Sequence, residues 1–201
     1  DVEGPLPLAS LPRDEAAAAE AHKALSDTLP GLLTLIAPRH PERSAEFAEI
    51  LRARGHVVAM RSAGQSIDAD TDIYVADTLG EMGLLYRLAG IVFIAGSLAS
   101  YGGHNPVEAA LLKNVLLAGP DMRNFEDACR SLEAAGALGR IARADALAGA
   151  LQPLLHDPEL CHRQANAAHA AACSLGGASD RALAEIMRLL DEKREHAHAH
   201  A

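Results

Sequence analysis

Between residues 32 and 142 the chain repeats one pattern: a short, mostly apolar run, a turn rich in Gly, Pro or charge, then an amphipathic or Ala-rich segment. The apolar runs fall at 32–37, 56–60, 73–76, 91–95, 115–119 and 138–142. Runs of this length without polar alternation suit strands buried on both faces, and the segments between them are long enough for right-handed crossovers. The alternation restricts the chain to the α/β class: a Rossmann-like, mostly parallel sheet with helices on both faces. Ligands of such sheets gather where strands end and helices begin, so the turns after the apolar runs are where a site is expected.

Helices are expected at 14–29, 44–54, 82–89, 107–112, 126–135, 144–155, 158–174 and 179–194, each bounded by Gly, Pro or a capping residue. Residues 13–194 then form one domain. The Pro-containing stretch 1–12 reads either as a linker or as a short edge strand, and 195–201 as a disordered His/Ala tail. The abrupt start at Asp1 suggests a piece of a longer protein. The formal net charge of −9 and an aromatic content of 3% argue against a general nucleic-acid binder. Cys129, Cys161 and Cys173 share no metal-like spacing and read as structural thiols of a reducing compartment. His162 and His169 read as surface or interface residues, and no metal site is expected. No apolar run reaches the about 18–20 residues of a membrane span.

Four turns hold the candidate chemistry. The richest is Gly96-Ser97-Leu98-Ala99-Ser100-Tyr101-Gly102-Gly103-His104-Asn105-Pro106-Val107-Glu108. Asn105 suits an N-cap, Pro106 the first helical position and Glu108 the third. A glycine-rich loop entering a helix can cradle an anion, but the same residues also spell an ordinary tight turn with a capping box. The second turn, Pro38-Arg39-His40-Pro41-Glu42-Arg43, offers an Arg fork to phosphate or carboxylate, or is a solvated turn. In Asp77-Thr78-Leu79-Gly80-Glu81, Asp77 or Thr78 can cap the next helix, Gly80 hints at close backbone approach, and Glu81 can simply complement the helix dipole. Arg61 is a possible anion contact. Gly119 to Phe125 leads into a helix with Asn124 as cap and Phe125 as pocket floor or core.

Taken together and in this order, these strings resemble the Kdo transferases, which carry 3-deoxy-D-manno-octulosonic acid from CMP-Kdo to a lipid A precursor. The resemblance runs from about residue 32 to residue 190 and implies the second, donor-binding domain of a GT-B glycosyltransferase. It assigns nucleotide contacts to Pro38 and Arg39, to Leu79, Gly80 and Glu81, and to Asn105, Pro106, Val107 and Glu108. Arg61, Ser97, Gly102, Gly103 and His104 stand as supporting residues. Leu79 departs mildly from the Met common there. The family's Thr/Ser-rich turn with Gly-Glu-Glu is replaced by Ala9-Ser10-Leu11-Pro12-Arg13-Asp14-Glu15.

The same resemblance implies an inverting, cofactor-free and metal-independent transfer in lipopolysaccharide biosynthesis, at the cytoplasmic side of a bacterial inner membrane. Its general-base Glu and membrane-associating segment belong to an acceptor-binding domain that these residues do not include. The expectation is a chain that binds CMP-Kdo but does not turn it over alone. Two other readings are a UDP-sugar transferase or epimerase of the same architecture, and a non-catalytic α/β interaction module.

Overall fold

The computed structural model describes residues 13–175. The segment 1–12, the expected helix 179–194 and the tail 195–201 lie outside the described residues. The elements follow the expected alternation: α1 (Arg13–Ser26), β1 (Thr34–Ile36), α2 (Ser44–Ala53), β2 (Val58–Met60), β3 (Ile73–Val75), α3 (Met82–Leu88), β4 (Ile91–Ile94), α4 (Val107–Leu111), β5 (Val115–Ala118), α5 (Glu126–Ala134), β6 (Leu138–Arg140), α6 (Leu147–His156) and α7 (Pro158–Leu175). Short 3₁₀ turns precede α2 and α6. Each strand is shorter than the apolar run that predicts it.

Every strand pair is parallel, as the crossovers require. The ladders among the described residues form two three-stranded sheets, β1-β3-β2 and β4-β5-β6, rather than one continuous sheet. In the second sheet the strand period of two separates its faces. Ile94, Leu116, Ala118 and Leu138 pack beneath α4, α5 and α7 through Ala109, Ala110, Cys129, Leu132, Ala168 and Ala172. On the opposite face Val115 and Leu117 meet Ala17 and Ala21 of α1 and Leu147 and Leu154 of α6. The first sheet buries Ile36, Val58, Met60, Ile73 and Val75 under Phe47, Ile50 and Leu51 of α2, with Ala19 of α1 in the same cluster. Its other face is covered more thinly, with Leu85 of α3 packed on Ala59, Tyr74 and Ala76.

Helix α1 therefore serves both sheets. Its alanines favour the helix and let the backbone approach closely: Ala19 belongs to the first sheet's core, Ala17 and Ala21 to the second's. Its first turn reaches the loop after β4. The buried Asp14 carboxylate accepts the Leu98 N–H at 3.1 Å, and Arg13 donates to the Leu98 carbonyl at 3.2 Å. Leu98 itself is buried. Asp14→Ala strands a buried amide and is expected to lower unfolding free energy by about 1–3 kcal/mol. Asp14→Asn keeps an acceptor oxygen and should recover most of that loss. Urea unfolding of both variants checks the ordering.

Candidate functional site

Parallel strands put all six following loops at carboxyl ends, and the glycine-rich loop after β4 is the most heavily built of them. Ser97 is fully buried; its hydroxyl donates to the Ile94 carbonyl at 2.5 Å and accepts the Gly119 N–H at 2.8 Å. The loop closes on itself through Gly103 N–H to the Gly96 carbonyl (3.1 Å) and His104 N–H to the Ala95 carbonyl (3.0 Å). It is then braced by the loop after β5. Asp121 accepts the Gly102 N–H at 3.0 Å, and its own N–H reaches the Ser97 carbonyl at 3.0 Å. Asn124 donates from its side chain to the Tyr101 carbonyl at 3.1 Å and from its backbone to Gly102 at 3.2 Å. Asn124 is therefore a brace for the glycine loop and not the cap of α5, whose cap position falls on Phe125. Phe125 packs against the core.

Gly102 and Gly103 are required by conformation and by space. Both have positive φ, +82° and +71°. A Cβ on Gly102 would overlap the Asn124 carboxamide, and one on Gly103 the Met122 sulfur. The Asp121 carboxyl is held down to about 2, chiefly by the Arg123 guanidinium and also by the Gly102 and Arg123 N–H groups.

The helix entry differs from expectation in two ways. Pro106, not Asn105, occupies the cap position, and α4 is only five residues long. The Asn105 side chain accepts the Val107 N–H at 3.0 Å, two residues on, which is an Asx turn and not a capping box. With so short a helix the dipole contributes little, so an anion here would depend on side-chain cations and the braced backbone.

Those cations come from two loops. Arg39, after β1, is exposed and follows the half-buried Pro38. His104, after β4, has its basicity lowered by loss of water and by the nearby Arg39 charge, with the Asp14 carboxylate acting against both. Glu15 is pushed up mainly by burial, and the neighbouring His40 pulls it back. His40 also pairs with Glu42 at 3.1 Å. The charges of residues 39, 40 and 104 and of the first turn of α1 are thus near enough to act on one another.

The loop after β3 forms the other flank. Glu81 is clamped by Arg61, with Nε to Oε2 at 3.1 Å and Nη2 to Oε1 at 2.7 Å, and it also accepts the Thr78 hydroxyl. Its carboxyl is held at about 2 by the Arg61 and Thr78 hydrogen bonds. Arg61 is therefore engaged in positioning Glu81. Asp77 accepts from the Ser62 N–H (2.8 Å) and hydroxyl (2.6 Å), so neither it nor Thr78 caps α3; Glu81 takes the cap position. Gly80 lies before the helix and not in its first turn, with φ of +83°. Leu79 stands 86% exposed.

Helices α3 and α4 join this flank to the glycine loop. Buried Asn114 donates to the carbonyls of Tyr86 (2.9 Å) and Ala109 (3.0 Å). Burial raises the Tyr86 phenol's pKa, and the nearby Glu108 charge adds to that. Glu108 itself is exposed. His169 of α7 donates to the Leu111 carbonyl at 2.9 Å, an interhelix contact as expected for it. The structure thus brings Arg39 within electrostatic reach of His104, and packs α3, which Leu79, Gly80 and Glu81 precede, against α4 of Val107 and Glu108. Sequence reasoning missed Asp14, Glu15, Asn114 and Asp121; the acidic pair opening an Ala-rich helix was the only visible signal among them.

Two outcomes check this geometry. Gly103→Ala is expected to destabilise the fold by about 1–3 kcal/mol through overpacking against Met122, measured by urea unfolding. Arg61→Ala should raise the Glu81 carboxyl from about 2 towards the ordinary 4.5, with the Thr78 hydroxyl still holding it below that value, read by NMR side-chain titration. The sign is fixed: a depressed carboxyl adds its stability above the unfolded value and loses it as pH falls towards 2.

No family model matches the chain. It is 35% identical over 165 residues to a 3-deoxy-D-manno-octulosonic acid transferase of Haemophilus influenzae, covering 82% of this chain and 39% of the relative. It is 40% identical over 168 residues to the enzyme of that name from Bordetella pertussis, covering 83% of this chain and 38% of the relative. The chain thus spans under two-fifths of these curated relatives. Among solved structures it is similar to the C-terminal CMP-Kdo binding domain of WaaA from Acinetobacter baumannii, with a TM-score of 0.74 and 31% identity. That match covers 79% of this chain and 82% of the domain. The mixed α/β fold of parallel sheets, the motifs in their order and these likenesses together place the chain in the 3-deoxy-D-manno-octulosonic acid transferase family, over its C-terminal domain.

Proposed function

We propose that this chain binds CMP-Kdo, as the donor-binding domain of a glycosyltransferase that moves Kdo to a lipid A precursor. The observation that carries the reading is the likeness to the C-terminal CMP-Kdo binding domain of WaaA, together with Arg39 lying near enough to His104, on loops that follow different sheets, for its charge to lower the histidine's basicity. An anionic phosphodiester suits that junction, where Arg39 supplies a permanent charge. A bound phosphate would also favour the protonated form of His104, which burial and the Arg39 charge oppose. Glu108 and Glu81 are carboxylates on the other flank, suited to accept hydrogen bonds from ribose hydroxyls and to repel a second phosphate.

In the whole protein, the acceptor-binding domain would supply the general base and the membrane-associating segment. The base would take a proton from an acceptor sugar hydroxyl as that oxygen bonds to the anomeric carbon of Kdo and the bond to the CMP phosphate breaks. Arg39 would stabilise the charge left on the departing phosphate, which is electrostatic catalysis needing no cofactor. The reaction would proceed at the cytoplasmic face of a bacterial inner membrane. Among the described residues no helix is long and apolar enough to cross a membrane.

Titration calorimetry with CMP tests the reading on this chain. Saturable binding is expected, weakened about tenfold or more by Arg39→Ala, a loss of about 1.4 kcal/mol. UDP should bind more weakly than CMP. Indifference to CMP, an unchanged affinity in the variant, or a stronger UDP response would overturn it.

A further inference from the structure

A second cluster lies at the opposite, amino edge of the first sheet. His22 projects from α1, His56 immediately precedes the residues leading into β2, and Asp72 sits directly before β3. Donor atoms from all three lie within 4.8 Å of one another. The His22 and His56 rings meet edge to face, 5.6 Å between centroids. His22 Nε2 is 3.5 Å from Asp72 Oδ1.

His22 is the informative member. Its side chain is almost fully buried, and its Nε2 makes no hydrogen bond. Its other nitrogen, Nδ1, is held by the Thr34 hydroxyl at 2.9 Å. A buried imidazole normally satisfies both nitrogens. Here one is anchored from behind and the other is aimed at a carboxylate and a second imidazole. Asp72 is anchored too: its other oxygen accepts the Val57 N–H at 2.8 Å.

We infer that His22, His56 and Asp72 form a binding site for a divalent transition metal, best suited to Zn²⁺, which ties α1 to the amino edge of the sheet. Two imidazoles and one carboxylate are a ligand set that zinc accepts, with water completing four-coordination from the half-exposed side. Bonds of about 2.1 Å place tetrahedral ligand atoms about 3.4 Å apart, which the His22–Asp72 pair already approximates. His56, half-exposed, is free to turn inward by the remaining distance. Donation of Nδ1–H to Thr34 leaves the Nε2 lone pair for the metal, the usual outer-shell arrangement of a ligating histidine. The site lies at the other end of the strands from the nucleotide loops, so it is separate from the transfer chemistry.

The test uses the full chain with His196→Ala, His198→Ala and His200→Ala, so that the tail does not compete for metal. Equilibrium dialysis against micromolar ZnCl₂ should give one Zn²⁺ per chain, with a rise in the thermal midpoint that saturates at one equivalent. Co²⁺ should give the intense visible absorption of a tetrahedral site. His56→Gln and Asp72→Asn should each weaken binding about 10–100-fold or more and abolish the thermal shift. His22→Ala removes a buried side chain and can unfold the protein; the His56 variant, at a half-exposed position, does not depend on it. No zinc retained at micromolar free metal, or affinity unchanged in both the His56 and Asp72 variants, would overturn the inference.

Discussion

The contact on which most of the architecture depends is the seating of α1 across two separately hydrogen-bonded sheets. Among the described residues no ladder joins β1 to β4, so their relative placement rests on packing. Small residues make this possible. Ala17 and Ala21 are one helical turn apart and face the second sheet's core, while Ala19 faces the first. Larger side chains would hold the helix off both. Alanine burial is a weak source of orientation, however, because it buries little area and has no direction. Orientation comes from the directional bonds at the helix's start, where Asp14 and Arg13 grip the N–H and carbonyl of a single peptide region at Leu98.

That grip also sets the candidate site. Leu98 follows Ser97, which is locked between the Ile94 carbonyl and the Gly119 N–H. The glycine loop is thus held from α1 on one side and from the loop after β5 on the other. Such a loop is preorganised: its backbone is fixed by protein partners, so little ordering cost remains when a ligand arrives. This differs from a binding site that relies on a helix dipole. With α4 limited to five residues, the rigid loop and the Arg39 charge carry what the dipole would otherwise supply.

Much of this was legible in the sequence. Apolar run length gave the strands, and Gly and Pro marked where they stop, because both signals come from local chemistry. Parallel topology put the turns after β1, β3 and β4 at the carboxyl ends of their strands, but could not show that these strands belong to two sheets. What failed was the assignment of polar side chains to local partners. Asn124, Asp77 and Thr78 were each read as caps of the next helix, since propensity favours a partner two or three residues away. In the fold, Asn124 serves Tyr101 and Asp77 serves Ser62. Arg61 likewise pairs with Glu81, twenty residues on. The sequence carries no mark of a long-range partner. For the same reason His22, His56 and Asp72 stayed invisible as a group: each lies at the boundary of a different element, and only the sheet brings the three boundaries together.

The charge layout gives these long-range pairs a common sense. The chain is acidic overall, with a formal net charge of −9, yet the proposed donor binding requires positive potential at one phosphate. Neutralising Glu81 with Arg61, and Asp121 with Arg123, removes two carboxylates from the field of the adjoining loops without removing their hydrogen-bonding geometry. Arg39 is left exposed on its turn, and Asp14, whose charge also acts on His104, is committed to a backbone amide. An uncompensated carboxylate a few ångströms from Arg39 would compete with phosphate for it, and at that range the competition is worth more than the distant net charge, which salt screens. The acidity of the whole chain and the anion preference of one junction are therefore compatible, because pairing within loops decides the local potential.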